Sequence, residues 1–171
     1  MKKTVVLLVI TFIVMLYGNK QEYVQIPVSS IRIRVIAKSD STKDQNDKII
    51  IKNALEEEIY KLIGKNMNYD NVDDVIKDNE DNLNAYIDKK MKENNIDSTF
   101  TTNYGYNYFP EKTFKDLKYD AGIYKSYVVT LGNGEGENWW CVLYPPLCLI
   151  DENVDNYEYH SLIKDTIAKY N

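Results

Sequence analysis

The sequence predicts an α+β fold in one domain: a small, mostly antiparallel sheet covered by two amphipathic helices, then a short C-terminal helix. Three observations lead to this prediction. First, apolar residues alternate with period two over 31–37 and again in segments between 98 and 144. Second, two stretches between residues 37 and 98 have helical period. Third, the predicted elements run strand, helix, helix, strands, helix. A chain of 171 residues can bury one modest core.

The N-terminal segment resembles a secretory signal. Two lysines precede a mostly apolar run from Val5 to Tyr17. As a helix, this run would reach about 20 Å, which is short of the roughly 30 Å hydrocarbon core of a bilayer. We therefore expect residues 1–18 to be a signal peptide. No clear cleavage site follows, and an uncleaved chain would be tethered to the membrane through residues 4–17.

The first strand follows a polar stretch, 19–29, which we predict to be a linker ahead of an α+β domain at 30–152. Alternation over Ile31–Ala37 places three apolar residues on one face and puts Arg32 and Arg34, the only arginines of the chain, on the other. Guanidinium groups pair with carboxylates through a planar fork that lysine lacks. The simplest expectation is an internal salt bridge to a helix packed above, and the alternative is a carboxylate of a partner.

Two helices are expected next. Ser41 with Asp44 three residues later has the form of a capping box, with Ser39 or Asp40 as alternative caps. Behind it, a helical stripe runs through Ile51, Leu55, Ile59 and Leu62 and is stopped by Gly64. A second amphipathic helix is predicted from Val72 to Asn94, with Asn79 at the edge of its apolar stripe. Both helices should cover a sheet or each other.

The second half of the domain is predicted to supply the remaining strands. Residues 98–109 alternate, a loop is expected from Pro110 to Ala121, and Ile123–Gly132 forms the next strand. A further strand, WCVLY, is ended by Pro145 and Pro146, which cannot donate to a ladder. Residues 153–171 are predicted to be a helical tail.

The run from Gly132 to Cys148 contains both tryptophans, both cysteines and three of the seven glycines of the chain. Consecutive strand residues point to opposite faces, so we expect one of Trp139 and Trp140 in the core and the other free to meet a partner. In an exported chain, Cys141 and Cys148 would form a disulfide, or they would remain two buried thiols. The GNGEGE stretch lacks a phosphate-loop lysine, so we interpret it as a flexible turn that brings the backbone close to something.

The composition argues against several function classes. A net charge of -5 disfavours nucleic-acid binding, which needs a basic surface. The single histidine, His160, lies on the polar side of the predicted tail helix, so a Cys–His nucleophile pair is not favoured. Two cysteines and one histidine also lack the repeated spacing of a zinc site. We therefore expect no catalytic residues, no metal and no cofactor.

One alternative stays open at this point. Tyr104, Tyr106 and Tyr108 share one strand face and, with a tryptophan, could form a stacking platform for sugars. The chain would then be an exported cell-wall glycan-binding module or hydrolase. A hydrolase would need a cleft with two carboxylates about 5 to 9.5 Å apart.

Four motifs point to one family. They are R-V-I-A-x-S-D-S at Arg34–Ser41, the pair Phe109–Pro110, A-G-x-Y at Ala121–Tyr124, and N-W-W-C-V-L-x-P-P-L-C at Asn138–Cys148. Together they resemble the stage II sporulation protein R family of endospore-forming bacteria. The last motif is long and built of rare residues, so chance is a poor explanation for it. The stretch 64–99 matches only in helical character.

The resemblance implies a signal rather than an enzyme. Proteins of this family are made in the forespore and exported into the space between the forespore and mother-cell membranes. There they trigger a membrane-embedded aspartic protease of the mother cell, which cleaves the pro-form of sigma-E. Residues 30–152 are accordingly expected to be a signalling domain.

The expected site residues follow from this reading together with residue type. Tryptophan and arginine dominate binding hot spots. The residues expected to bind the protease are Trp139, Trp140, Arg32, Arg34, Tyr144, Pro145 and Pro146. Structural roles are expected for Cys141, Cys148, Ser41 and Gly122.

Overall fold

The computed structural model describes residues 26–27, 29–63, 71–114, 117–144 and 165–169. The helices and strands, in chain order, are β1 (Ile31–Ile36), α1 (Thr42–Ile63), α2 (Val72–Asp78), α3 (Glu80–Glu93), β2 (Phe100–Phe109), β3 (Lys112–Phe114), β4 (Leu117–Tyr119), β5 (Gly122–Leu131) and β6 (Asn138–Tyr144). Residues 165–169 are also helical, within the predicted tail. The predicted α+β class is confirmed.

The main sheet has the strand order β2-β5-β1-β6. Strand β1 is central, parallel to β5 and antiparallel to β6, while β2 is antiparallel to β5. The expected, mostly antiparallel sheet is therefore confirmed, with a parallel pair at its centre. Parallel neighbours require a long crossover, and here the chain between β1 and β5 includes all three of these helices.

The core lies between the three helices and one face of this sheet. Ile33 and Val35 of β1 are fully buried beside Tyr127 and Val129 of β5. Above them the helices contribute a buried apolar stripe, which consists of Ile51, Leu55, Ile59, Val72, Ile76, Leu83, Ile87 and Met91. The alternation in β1 thus predicts its buried face correctly. We call this side of the sheet the helix face and the other side the opposite face.

The start of α1 is capped by two serines. The backbone N–H of Asp44 donates to Ser41 Oγ at 3.1 Å, as the capping box predicts. The return bond differs, because the Asp44 carboxylate accepts from the Ser39 hydroxyl and Ser41 N–H donates to Ser39 Oγ at 3.2 Å. The hydrogen bond from Ser39 holds the pKa of Asp44 below its ordinary value.

The second predicted helix is wrong as a single element, since it breaks at Asn79. The Asn79 side-chain amide donates to Val75 O at 2.9 Å and takes the acceptor that the backbone N–H would use. That backbone N–H instead reaches Ile76 O at 3.3 Å, and a new helix begins with Leu83 N–H donating to Asn79 O at 2.9 Å. The polar edge position therefore marks a bend between α2 and α3.

The predicted loop from Pro110 to Ala121 is also corrected. It contains a separate two-stranded sheet in which β3 pairs antiparallel with β4, Lys112 opposite Tyr119. Each strand has only three residues, too few for an alternating pattern to be visible in the sequence.

Several predicted features lie outside the described residues. They are the signal segment 1–18 with its tether 4–17, most of the linker, Gly64, Pro145, Pro146, Cys148 and His160. Within the described part of the chain, none of the helices combines the length and the apolar character needed to span a bilayer.

Candidate functional site

The opposite face of the sheet carries both arginines. Strand β1 places Arg32 and Arg34 there, and Arg34 lies directly across from Trp140 of β6. Strands β2 and β5 add Phe109 and Tyr124 on the same face. We call these five residues the arginine–aromatic cluster.

Arg32 is the buried member of the cluster. Only 4% of the residue is exposed, and its Cζ lies 3.2 Å from the Tyr124 ring centroid and 5.1 Å from that of Phe109. Its Nε is 3.5 Å from Ser30 Oγ, at the limit of a hydrogen bond, and its Nη2 has no partner among the described residues. Burial lowers the pKa of Arg32, but a guanidinium remains charged.

Arg34 is the more accessible member. It is half-buried, with Cζ 4.5 Å from the Trp140 ring centroid, and its buried Nε finds no acceptor in the described part of the chain. Trp140 in turn packs on Phe109 with centroids 4.9 Å apart. The ammonium of Lys112 adds a third cation at 5.9 Å from the Trp140 ring.

The expected internal salt bridge from these arginines to a helix is not formed within the described residues. The ion pairs found there all involve lysines, and none joins a carboxylate to either guanidinium. The physical reason is the strand alternation, since it turns both arginines away from the helices and toward aromatic rings.

Gly122 and Tyr124 shape the floor of the cluster. A Cβ added at Gly122 would lie 2.8 Å from the Tyr124 ring, so a larger residue would push the ring away. The Tyr124 hydroxyl donates to Asp120 O at 3.2 Å, which fixes the ring where Arg32 stacks on it. This contact gives the expected structural role of Gly122 a physical basis.

The structure separates the two tryptophans. Trp139 packs against the core on the helix face, with Lys52 Nζ 4.9 Å from its ring centroid. Trp140 lies on the opposite face, as strand alternation predicts. Tyr144 follows a register shift in β6 and also packs against the core. Of the expected partner-binding residues in the described ranges, the cluster brings together Arg32, Arg34 and Trp140.

The two expected structural cysteines differ in what is described. Cys141 is disulfide-bonded in the structure. Cys148, the only other cysteine of the chain, lies outside the described residues.

The glycine-rich turn at 132–137 packs on the segment that precedes α1. Glu135 N–H donates to Lys38 O at 3.2 Å, Gly136 N–H to Ala37 O at 3.0 Å, and Glu137 N–H to Asp40 Oδ1 at 2.7 Å. At Gly136 a Cβ would lie only 2.4 Å from Ser39 O. The predicted close approach of this turn is therefore made to residues 37–40, and it joins two of the sequence motifs.

Polar contacts also tie the helix face together. Tyr104 hydroxyl donates to Asp73 Oδ1 at 2.6 Å, and Lys125 pairs with the same carboxylate. Burial would raise the pKa of Asp73, but hydrogen bonds from Lys125 and Tyr104 outweigh it and hold that pKa below its ordinary value. Burial raises the pKa of the Tyr104 phenol.

A second polar contact on the helix face joins β2 and β5 to α3. Asn84 Oδ1 accepts hydrogen bonds from Thr102 and Tyr127 hydroxyls, both at 2.8 Å. Burial raises the pKa of the Tyr127 phenol. The side chain of Asn84 thereby fixes the α3 helix over the centre of the sheet.

The proposed tyrosine platform is only partly available. Tyr104 is held by Asp73, while Tyr106 and Tyr108 are 75% and 62% exposed. In the described ranges, no group of three or more His, Cys, Asp or Glu residues could hold a metal ion.

Sequence reasoning missed Phe109, Tyr124 and Lys112 as members or neighbours of the cluster. Two of them had a signal, because Phe109 precedes Pro110 in one motif and Tyr124 ends the A-G-x-Y motif. Both motifs have a structural explanation, because Phe109 and Tyr124 are the two rings that contact the Arg32 guanidinium. Lys112 had no signal, since its position depends on the β3–β4 hairpin.

Comparison with known proteins points in one direction. A family model described as Stage II sporulation protein R matches residues 27–154, a range that includes the whole cluster. The chain is 32% identical over 163 residues to Stage II sporulation protein R of Bacillus subtilis strain 168. That alignment covers 88% of this chain and 73% of the relative. No solved structure matches the chain.

Proposed function

This chain belongs to the stage II sporulation protein R family, and from that premise we propose that it is an exported signal that activates a membrane-embedded aspartic protease. In this proposal the chain is made in the forespore and acts from the space between the forespore and mother-cell membranes. The activated protease then cleaves pro-sigma-E in the mother cell. The observation that carries the proposal is the family match over 27–154, which contains the complete main sheet and the helices that cover it.

We propose the arginine–aromatic cluster as the surface that meets the protease. The few residues that dominate the binding energy at protein interfaces are enriched in tryptophan and arginine. Trp140 and Arg34 are half-buried on the face that the helices leave uncovered. Trp139 is assigned to the fold instead, because it packs against the core.

Activation needs a difference in affinity between two states of the protease. A ligand that binds resting and active states equally well shifts nothing. Moving such an equilibrium from about 1:99 to about 99:1 requires about 10⁴-fold tighter binding to the active state. The proposed signal therefore has to contact a surface that the protease presents only when active, including a dimeric form.

Reconstitution in vegetative cells tests the proposal. The full chain is co-expressed with the sporulation protease and tagged pro-sigma-E in a spore former that lacks its own copy, and cleavage is measured on a blot. We expect cleavage to require this chain, the protease and residues 1–18. A chain that is exported and folded but gives no cleavage would overturn the proposal.

Two further samples sharpen this test. A variant with Lys89→Gln serves as a matched control, since Lys89 is 67% exposed on α3 and lies away from the cluster. Comparing the exported protein with its precursor on the same blot shows whether residues 1–18 are removed or kept as a tether.

A glycan-binding function is the second candidate, and exposed Tyr106 and Tyr108 favour it. Aromatic side chains on one strand face can stack on sugar rings. Binding of the full chain to purified cell-wall sacculi, lost in Tyr106→Ala with Tyr108→Ala, would support this candidate. Cleavage of pro-sigma-E that survives both substitutions would separate it from the signalling function.

A further inference from the structure

We infer that the arginine–aromatic cluster binds a carboxylate of an acidic segment in the protein partner, and that Arg34 is the residue that takes it. The inference deepens the proposed function and rests on it for the partner being a protein. That the ligand group is a carboxylate is argued only from the described residues of this chain.

The first argument is the uncompensated charge. Arg32 and Arg34 lie two positions apart on one face of β1, and Lys112 is near the same Trp140 ring. The described ion pairs place no carboxylate beside either guanidinium. Burying a cation without a partner costs free energy, and a carboxylate placed beside the cation offsets part of that cost. By contrast, Lys125 on the helix face is paired with Asp73.

The second argument is the placement of the guanidiniums. Each guanidinium carbon lies over an aromatic ring, Tyr124 for Arg32 and Trp140 for Arg34. A carboxylate accepts two parallel N–H bonds from one guanidinium, a geometry that an ammonium group does not offer. Arg32 Nη2 and Arg34 Nε have no acceptor within the described residues, but both atoms are buried, so an incoming carboxylate reaches only the exposed part of Arg34.

Exposure divides the roles of the two arginines. Arg32 is 4% exposed, so a ligand does not reach it directly. Arg34 is half-buried and reachable from solvent. Arg34 therefore makes the contact, and the buried charge of Arg32 strengthens the attraction through a medium less polarisable than water.

The third argument is the contrast between local and overall charge. The chain carries a net charge of -5, so it has no long-range attraction for an anionic ligand of any kind. A single carboxylate that enters the cluster instead feels nearby cations at distances shorter than the screening length of about 8–10 Å. The half-buried Trp140 ring beside Arg34 suits a protein segment better than a phosphate headgroup.

Nuclear magnetic resonance tests the inference directly, because the chain has only two arginines. The ¹⁵N-labelled full chain should give two Nε–H signals, and Arg34→Lys identifies one by its loss. The probe is a short, capped peptide rich in glutamate, with its glutamine counterpart as the control ligand. We expect the glutamate peptide to shift the Arg34 signal saturably and the glutamine peptide to leave it unchanged.

Variants are tested by the same titration, with the peptide affinity measured from the shifts of backbone amide signals. Arg34→Lys keeps the charge but loses the fork, so we expect the glutamate peptide to bind about tenfold more weakly. Lys89→Gln removes one charge on α3 and should bind like the wild type. Sodium chloride at about 0.5 M should abolish most of the preference for glutamate.

The opposite results are equally clear. Equal shifts with glutamate and glutamine peptides, or an Arg34 signal that neither peptide moves, would overturn the inference. A shift caused only by vesicles of phosphatidylglycerol would overturn it in favour of a lipid. Because the titration contains no protease, its outcome is independent of whether pro-sigma-E is cleaved in the reconstituted cells.

Discussion

The two faces of the central sheet treat their charged groups in different ways. On the helix face, Lys125 pairs with Asp73, and Tyr127 donates to Asn84, so the chain satisfies these groups itself. On the opposite face, Arg32 and Arg34 stack on aromatic rings and leave two buried donors without a partner in the described ranges. The helix face therefore satisfies its own polar groups, while the opposite face is the one that we propose for a partner.

The largest loss of stability is expected on the helix face, at the fully buried Tyr127. This substitution tests whether that face holds the fold together. Tyr127→Ala should lower the free energy of unfolding by about 3–5 kcal/mol, because it leaves a large cavity. Urea unfolding of the purified chain measures this loss. Tyr127→Phe is the matched control and should cost about 1 kcal/mol, since Asn84 keeps its bond from Thr102. Equal losses for both variants would contradict the assignment of this ring to the core.

The two tryptophans sharpen the comparison next. Trp139→Ala should cost about 2–3 kcal/mol of stability, because Trp139 packs against the core. Trp140→Ala should cost less stability but reduce pro-sigma-E cleavage more strongly, since its ring supports Arg34. Urea unfolding and the reconstituted blot are measured side by side. A larger loss of cleavage in the folded Trp139 variant would reverse the roles of the two faces.

Removing one cation from each face gives a smaller effect. Arg32→Met should change the free energy of unfolding by no more than about 1 kcal/mol, because losing the cation–π contacts with Tyr124 and Phe109 offsets the relief of a buried, unpaired charge. Cleavage should nevertheless fall. Lys125→Met should lower stability by about 0.5–1 kcal/mol, as expected for a partly exposed pair with Asp73. If Arg32→Met instead unfolds the chain, the Arg32 guanidinium is needed for stability, which would contradict the assignment of stability to the helix face.

The smallest effect concerns pH and the helix face alone. The pKa of Asp73 in the folded chain is below its unfolded value of about 3.9, so its contacts stabilise the fold above that pH. The contribution is lost as pH falls through the lower, folded pKa. The difference in urea midpoint between wild type and Asp73→Asn should be constant from about pH 7 to 5 and close below about pH 4. A difference that persists in stronger acid would exclude Asp73 as its source.

Local patterns predict much of this fold and one part of its site. The alternation of β1 and the stripe of α1 identify Ile33, Val35, Ile51 and Leu55 as core, because burial repeats with the period of each element. The same alternation places both arginines on one face. Strand order and the break at Asn79 depend on contacts between distant segments or on one side-chain hydrogen bond, and neither leaves a periodic signal.

The environment of the arginines was harder to predict than their positions. Carboxylates are abundant in the sequence, so a salt bridge to a helix was the simplest expectation. The outcome depends on which strands flank β1, since these bring Tyr124 and Trp140 beside the guanidiniums. The short β3–β4 hairpin, which carries Lys112, follows from tertiary packing in the same way.

The central position of β1 also governs when the chain can fold. Ile33 lies opposite Tyr127 on one side and Cys141 on the other, so both neighbours of this strand are made long after it. During synthesis β1 has no strand to pair with until β5 and β6 have emerged. Contacts between such distant segments form slowly, because a long loop must close before they are gained. The complete main sheet therefore assembles only after the residues of β6, up to Tyr144, have been made.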